Sequence, residues 1–269
     1  MTGEIQGTSG PPRTLRDGRE VGAVVSDPEA TRGLPWSPDF LVVGEEFCER
    51  LLPAWEKIEA VVDSGGVPVR SLLTPPVTDF GLTRLEGLFE RLATTMPGIE
   101  VVVNDWGVDR LLERISAPFP KVFGRLLNKQ RTDPRLPPEV SHVEAESFQS
   151  FLVSRGYRRI EWSPRWSSKG SGAIRLPGTL RWPEAILSWT RSCLAANLDG
   201  DFTPQGAIGV VACRQPCRDL DIRLNKRNFP CELMLRGNAL LYEVQEPPAG
   251  LDGRRIDRIV VDLEPRPWR

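Results

Sequence analysis

The chain has 269 residues, of which 40% are apolar, with 35 basic against 36 acidic side chains and a net charge of -1. That composition can bury a sizeable core and carries no overall electrostatic footprint for nucleic acid or an anionic membrane, so no DNA partner is expected. No apolar run approaches the about 18 residues of a membrane span, and the first residues lack the basic-then-apolar layout of a secretory signal, which makes a reducing cytoplasm the expected compartment.

Residues 1–38 are rich in Gly, Pro, Thr and charge and read as a loose N-terminal arm with one short strand at 21–25 (VGAVV). The texture changes at Asp39. Residues 40–44 (FLVVG) form the continuous apolar run of a strand covered on both faces. Residues 49–62 follow with Leu51, Leu52, Trp55, Ile58 and Val62 at helical spacing, stopped by Gly65 and Gly66. The alternation repeats, with strands over 67–73, 99–103 and 121–127 and helices over 83–94 and 108–115. Ser141 and Glu144 then form a capping box for a helix carrying Phe148 and Leu152, which ends at Gly156 before a strand over 158–162. After Trp162 the helices largely vanish. Residues 173–180 and 186–189 are extended, 191–231 is a cysteine-rich loop, 233–244 a hairpin, and 259–263 (IVVDL) a last buried strand.

Strands alternating with helices argue for parallel βα units, and about eight parallel candidates result if 21–25 is counted. The predicted fold is α/β: a single irregular (β/α)8 TIM-like barrel over residues 39–269 with some crossover helices missing. Barrel chemistry concentrates at the C-terminal ends of strands. Those ends are Glu45, Glu46 and Cys48; Thr74; Asn104, Asp105 and Trp106; Asn128 and Lys129; Ser163; and Arg181. Glu45, Glu46, Asp105 and Glu161 are the acid/base candidates by position, against the ordinary outcome of solvated rim carboxylates. The single histidine, His142, is expected to be a cap-adjacent loop residue. Trp162, Trp166, Trp182 and Trp189 can shield a cofactor or stack a flat substrate, but core packing is their commoner use. Gly170-Ser171-Gly172 lacks the surroundings of a phosphate loop and reads as a turn. Arg254, Arg255 and Arg258 and the tail 266–269 read as a solvated basic end.

Four of the five cysteines, Cys193, Cys213, Cys217 and Cys231, fall within 39 residues; the fifth, Cys48, lies far upstream at a strand end. Disulfides suit small secreted domains rather than a chain of this size. Zinc sites usually take two close Cys pairs or Cys with His, whereas here one close pair exists and His142 is distant. Scattered thiols that converge in the fold suit an iron–sulfur cluster, with zinc and buried core thiols as the alternatives.

The phrases VVGEEFCER, EVVVNDWGVDRLL, VFGRLLNKQ, the separated SC and C-x3-C, and the final RIVVDLEP resemble the collagenase-like peptidase family U32. The closest likeness is to its iron–sulfur branch, which acts in oxygen-independent ubiquinone hydroxylation. The resemblance implies a [4Fe-4S] cluster held by Cys48, Cys193, Cys213 and Cys217, with Cys231 a spare or alternative fourth ligand. It also implies a paralogous subunit as partner, and an acceptor that is an aromatic quinone precursor or an RNA base. Whether the chain is catalytic by itself or a non-catalytic cluster-bearing partner stays open. The peptidase label has thin support, since there is no His-Glu-x-x-His or Gly-x-Ser-x-Gly and one histidine to act as base.

Overall fold

The structure is a computed structural model that describes residues 11, 13–25, 28–32, 34, 36–167, 174–190, 213, 215, 217, 222–225, 227 and 229–262. In chain order, α1 (Arg13–Arg16), β1 (Glu20–Val24) and α2 (Pro28–Arg32) lead to β2 (Phe40–Gly44). A 3-10 turn at Glu49–Leu51 and α3 (Trp55–Asp63) come next. They are followed by β3 (Val69–Leu73), α4 (Asp79–Thr95), β4 (Glu100–Val103), α5 (Trp106–Arg114), β5 (Lys121–Phe123) and α6 (Arg125–Asn128). A second 3-10 turn at His142–Glu144 and α7 (Glu146–Ser154) precede β6 (Tyr157–Trp162) and β7 (Gly178–Trp182). The remainder is β8 (Glu184–Trp189), β9 (Ile222–Leu224), β10 (Leu233–Arg236), β11 (Ala239–Glu243) and β12 (Ile256–Val261).

Eight strands close a parallel barrel in the order β1-β12-β7-β6-β5-β4-β3-β2, and β8, β11, β10 and β9 form a separate antiparallel sheet. The (β/α)8-like architecture expected from the alternation is present. Its first strand is the short one placed in the arm, because Gly22 pairs with Phe40 on one side and Val260 on the other, so the cylinder starts at Glu20 rather than Asp39. The first crossover also holds a helix, α2, though a short one. The helix expected over 49–62 is split by Pro53, which lacks an amide N–H and leaves a 3-10 turn before α3. The extended segment at 186–189 belongs to β8 in the antiparallel sheet, whose strands β10 and β11 form the expected hairpin.

Alternation along the strands sorts side chains into two sets. Phe40, Val42, Leu73, Val102, Val122 and Val260 fill the barrel axis. Their neighbours, among them Leu41, Leu72, Val101, Val103, Phe123, Leu180 and Ile259, point outward to pack against the helices. Below the apolar plug the axis is polar, with Arg258 donating to Glu100 at 2.7 Å and to Glu20 at 3.0 Å. Arg254 is 2% exposed and donates to Glu144 at 3.0 Å. Two arginines of the supposed basic end are therefore interior ion-pair partners, because each has a carboxylate brought to it from a distant stretch of chain. Among the described residues no helix is long and apolar enough to cross a membrane.

Two glycines set the strand exits. Gly44 has φ +112, and a Cβ there would sit 2.3 Å from the Leu73 carbonyl oxygen. At Gly124 a Cβ would sit 2.1 Å from Asn104 Oδ1, so β5 stops at Phe123 and α6 begins, where the apolar pattern by itself suggested strand to Leu127. Replacing Gly44 with Ala is expected to cost at least about 1–3 kcal/mol through a left-handed backbone and a steric clash, read as a lower urea midpoint with the m-value unchanged.

Candidate active face at the C-terminal end of the barrel

The exits of β2, β5, β6, β7 and β12 converge on a cluster of buried charge. Arg125, the first residue of α6, donates from Nε and Nη2 to the two oxygens of Glu46 at 2.7 Å each, from Nη1 to the Glu184 carbonyl at 2.7 Å, and from Nη2 to Asp262 at 3.3 Å. Arg181, at the end of β7, bonds to Asp262 Oδ1. It also reaches Glu46 at 3.2 Å and Glu161 Oε1 at 3.4 Å. Arg236 of β10 completes the group by donating to Glu184 at 2.8 Å. Glu46, Arg125, Glu161, Arg181 and Glu184 are each at most 3% exposed.

Removing so many charges from water is costly, and it is tolerated because the guanidinium forks meet the carboxylates with matched geometry. The environments differ enough to separate the acids. Burial would raise Asp262, but Arg181 and Arg125 outweigh it and hold its carboxyl below the usual range. Burial pushes Glu161 up to about 7, opposed by Arg181 and assisted by the Glu46 charge. Glu184 is likewise pushed up to about 7 by burial, against the pull of Arg236. Glu45 is also raised by burial, while its Oε1 accepts the Phe47 amide at 2.9 Å and bends the chain after β2.

The solvated rim expected for the carboxylates is thus overturned at Glu46 and Glu161, which lie inside the protein, Glu46 paired with Arg125 and Arg181 and Glu161 within 3.4 Å of Arg181. Asp105 is engaged otherwise: its Oδ1 caps α5 by accepting the Gly107 amide at 2.6 Å. His142 is exposed, packs edge-on against Phe148 with centroids 4.8 Å apart, and lies between Ser141 and Glu144 of the capping box as a cap-adjacent residue. Burial, with the nearby Lys129 charge, lowers its pKa. Trp162 and Trp166 meet edge-to-face with centroids 6.2 Å apart, and the Arg254 guanidinium stands 5.5 and 4.8 Å from those centroids, so both serve packing. Trp182 is also a core residue, and Trp189 packs partly buried beside Ile186 and Leu241.

Cys48 lies just beyond β2, 5% exposed, at the start of the Glu49–Leu51 turn. The β10–β11 turn covers it, since a Cβ on Gly237 would come within 3.4 Å of the Cys48 Cβ. The Cys213-x3-Cys217 step is tied to the same place. Gln215 Nε2 donates to the Arg50 carbonyl at 2.7 Å, and the Gln215 amide donates to Cys213 Sγ at 3.3 Å. Cys213 and Cys217 are partly exposed. Cys231 sits elsewhere, ahead of β10 in a cluster with Ala185, Leu233 and Tyr242, and burial raises its thiol pKa. Glu232 and Gly237 bracket β10, so about 16 Å of strand, at 3.3 Å per residue, separates the Cys231 end from the turn over Cys48. Cys193 lies outside the described residues, as do the turn at 170–172 and the tail at 266–269. Among the described residues no three His, Cys, Asp or Glu side chains are gathered into a metal-binding group.

Arg125, Glu184, Arg236 and Asp262 escaped the sequence reading. The signal for Arg125 was the glycine before it, which marks the true end of β5; for Asp262 it was the polar break closing IVVD.

No family model matches the chain, and no curated protein matches it. Among solved structures it is similar to the U32 peptidase Mk0906, at 16% identity and a TM-score of 0.49, with 93% of this chain and 94% of that one covered. It is also similar to a glycoside hydrolase family 18 N-acetylglucosaminidase from Paenibacillus barengoltzii, at 8% identity and a TM-score of 0.35, covering 90% and 94%. A class V chitinase from Nicotiana tobaccum is 11% identical with a TM-score of 0.33, covering 90% and 93%.

Replacing Arg125 with Met removes the two 2.7 Å hydrogen bonds to Glu46, leaves that buried carboxylate only the 3.2 Å contact with Arg181, and is expected to cost about 3–5 kcal/mol in urea unfolding at neutral pH. The same change at Arg114, whose pair with Glu86 is solvent-exposed, is expected to cost less than about 1 kcal/mol.

Proposed function

We propose that the protein is an iron–sulfur protein of oxygen-independent hydroxylation, acting on an aromatic quinone precursor or an RNA base as the cluster-bearing component beside a paralogous subunit. The observation that supports this reading is that Gln215, between Cys213 and Cys217, donates from Nε2 to the carbonyl of Arg50, two residues after Cys48 in sequence, and from its backbone amide to Cys213 Sγ, on the face where barrels do chemistry. The donor set fits a [4Fe-4S] cluster in kind: thiolates are its usual ligands, and an amide N–H directed at Cys213 Sγ is the sort of contact that tunes cluster sulfurs. Cys48, Cys193, Cys213 and Cys217 would hold the cluster, and Cys231 would not, standing at the far end of β10. When bound, such a cluster supplies electron transfer. The assisting role is favoured by a mouth filled with ion pairs and an axis with about 10 Å³ of open space, which leaves little room for a substrate inside the barrel.

Anaerobic purification with iron, sulfide and absorbance measured together tests the cluster. Cys48→Ala is expected to lose the [4Fe-4S] absorbance on reconstitution and Cys231→Ala to keep it; zinc in place of iron, or the reverse pattern, would overturn the assignment. Hydroxylation that appears only when the paralogue is added supports the assisting role, whereas peptide turnover by the purified chain would point to a hydrolase instead.

A further inference from the structure

The ion-pair network leaves one buried acid incompletely matched. Arg181 gives its shorter contacts to Asp262 and Glu46, and meets Glu161 Oε1 only at 3.4 Å. Glu161 is 2% exposed, and its Oε2 has no hydrogen-bond partner among the described residues. Glu161 also lines a cavity of about 10 Å³ on the barrel axis, together with Ser71, Glu100, Arg159, Thr179 and Arg258. That volume is close to the minimum that admits one water, and the lining is polar enough to hold it. Glu100 below is already served by Arg258 and Ser71, the latter at 3.1 Å, so Glu161 is the carboxyl there with unused capacity.

An ionised Oε2 in this position would leave buried lone pairs unmatched, a costly arrangement. A protonated Oε2 needs a single acceptor, and a water on the axis provides it. We propose that Glu161 is a proton-binding site at the barrel mouth, carrying at neutral pH an exchangeable proton hydrogen-bonded to one water in the axial cavity.

The surroundings agree element by element. Glu46 from β2 and Asp262 after β12 disfavour a further negative charge, while Arg181 from β7 and Arg125 from α6 favour one. Arg159 on β6 is occupied by Asp257 and by the Gly178 carbonyl at 2.9 Å, and Arg258 on β12 by Glu20 and Glu100. Glu100 on β4 is half-buried and lines the same axial cavity. Asn128 of α6 donates to the Glu161 carbonyl at 2.9 Å, holding the backbone without touching the carboxyl. Burial is the largest influence and sets the titration near neutrality. A buried acid poised there can release its proton to a neighbouring acceptor and recover it from water. The inference does not depend on a cluster being bound.

The test is urea unfolding of the full chain and of Glu161→Gln between pH 5 and 8.5. A raised folded-state pKa means that the native state holds more protons than the unfolded state from the ordinary carboxyl range up to about 7. Its stability contribution is therefore present at low pH and lost as pH rises through that value. Glutamine mimics the protonated form and does not titrate, so the ratio of variant to wild-type folding constants should grow by up to about tenfold per pH unit between pH 5 and about 7 and level off above it. A variant less stable than wild type by the same factor at every pH would overturn the proposal, since it would mark Glu161 as an ionised partner of Arg181. Should the variant not fold, infrared spectra of Glu184→Gln decide the matter. A protonated-carboxyl stretch that shifts in deuterated water and fades between pH 6 and 8.5 supports the proposal, and its absence at pH 6 overturns it.

Discussion

Arg125 and Arg181 share the carboxylates of Glu46 and Asp262 inside the protein, and the arrangement of the whole C-terminal face follows from that sharing. Each group is a charge out of water, so the loss of any one leaves its partners short of a counter-charge at a cost of several kcal/mol. The contributing residues come from the β2 exit, the β5–α6 turn, β7 and the end of β12. Four separate parts of the cylinder are thereby locked to one another at the mouth, where an apolar barrel would have only side-chain packing. Through the Glu184 carbonyl and the Arg236 pair with the Glu184 carboxyl, the same network anchors the antiparallel sheet to the barrel.

The anchored sheet determines what the β2 exit can present. Its β10–β11 turn lies over Cys48, close enough that a Cβ in place of the Gly237 hydrogen would touch the Cys48 Cβ at 3.4 Å. Gly44, in a backbone region that side chains avoid, turns the chain so that Glu46 enters the network and Cys48 stands just above it. The run Gly44-Glu45-Glu46-Phe47-Cys48 therefore has a physical reading: Gly44 for the bend, Glu46 for the buried arginine, Cys48 for the covered position beyond. The barrel axis is layered accordingly, with a polar base around Glu100 and Arg258, an apolar middle, and the charged mouth.

Much of the barrel was legible because helices and buried strands repeat locally. Leu85, Leu88, Phe89 and Leu92 announce α4 through their spacing, and FLVVG announces β2 through its unbroken apolarity. Strand ends were less legible. The run after Lys121 stays apolar through Leu127, yet β5 ends at Phe123 because Asn104 from the neighbouring strand fills the space that a side chain at Gly124 would need. The cysteines show the same division. Their clustering is visible in the sequence, whereas the contact of Gln215 with the Arg50 carbonyl near Cys48, and the packing of Cys231 ahead of β10, join distant segments.

From its sequence alone the chain specified an alternating parallel α/β barrel, a helix-poor last third and a set of strand-end residues that includes Glu46, Glu161 and Arg181, since all of these rest on period and position along a local stretch. Only the tertiary structure decided that those acids are buried rather than solvated. Their partners lie 79 residues away for Glu46 and Arg125, and 81 for Arg181 and Asp262, and no local periodicity records which charge will meet which once the barrel closes.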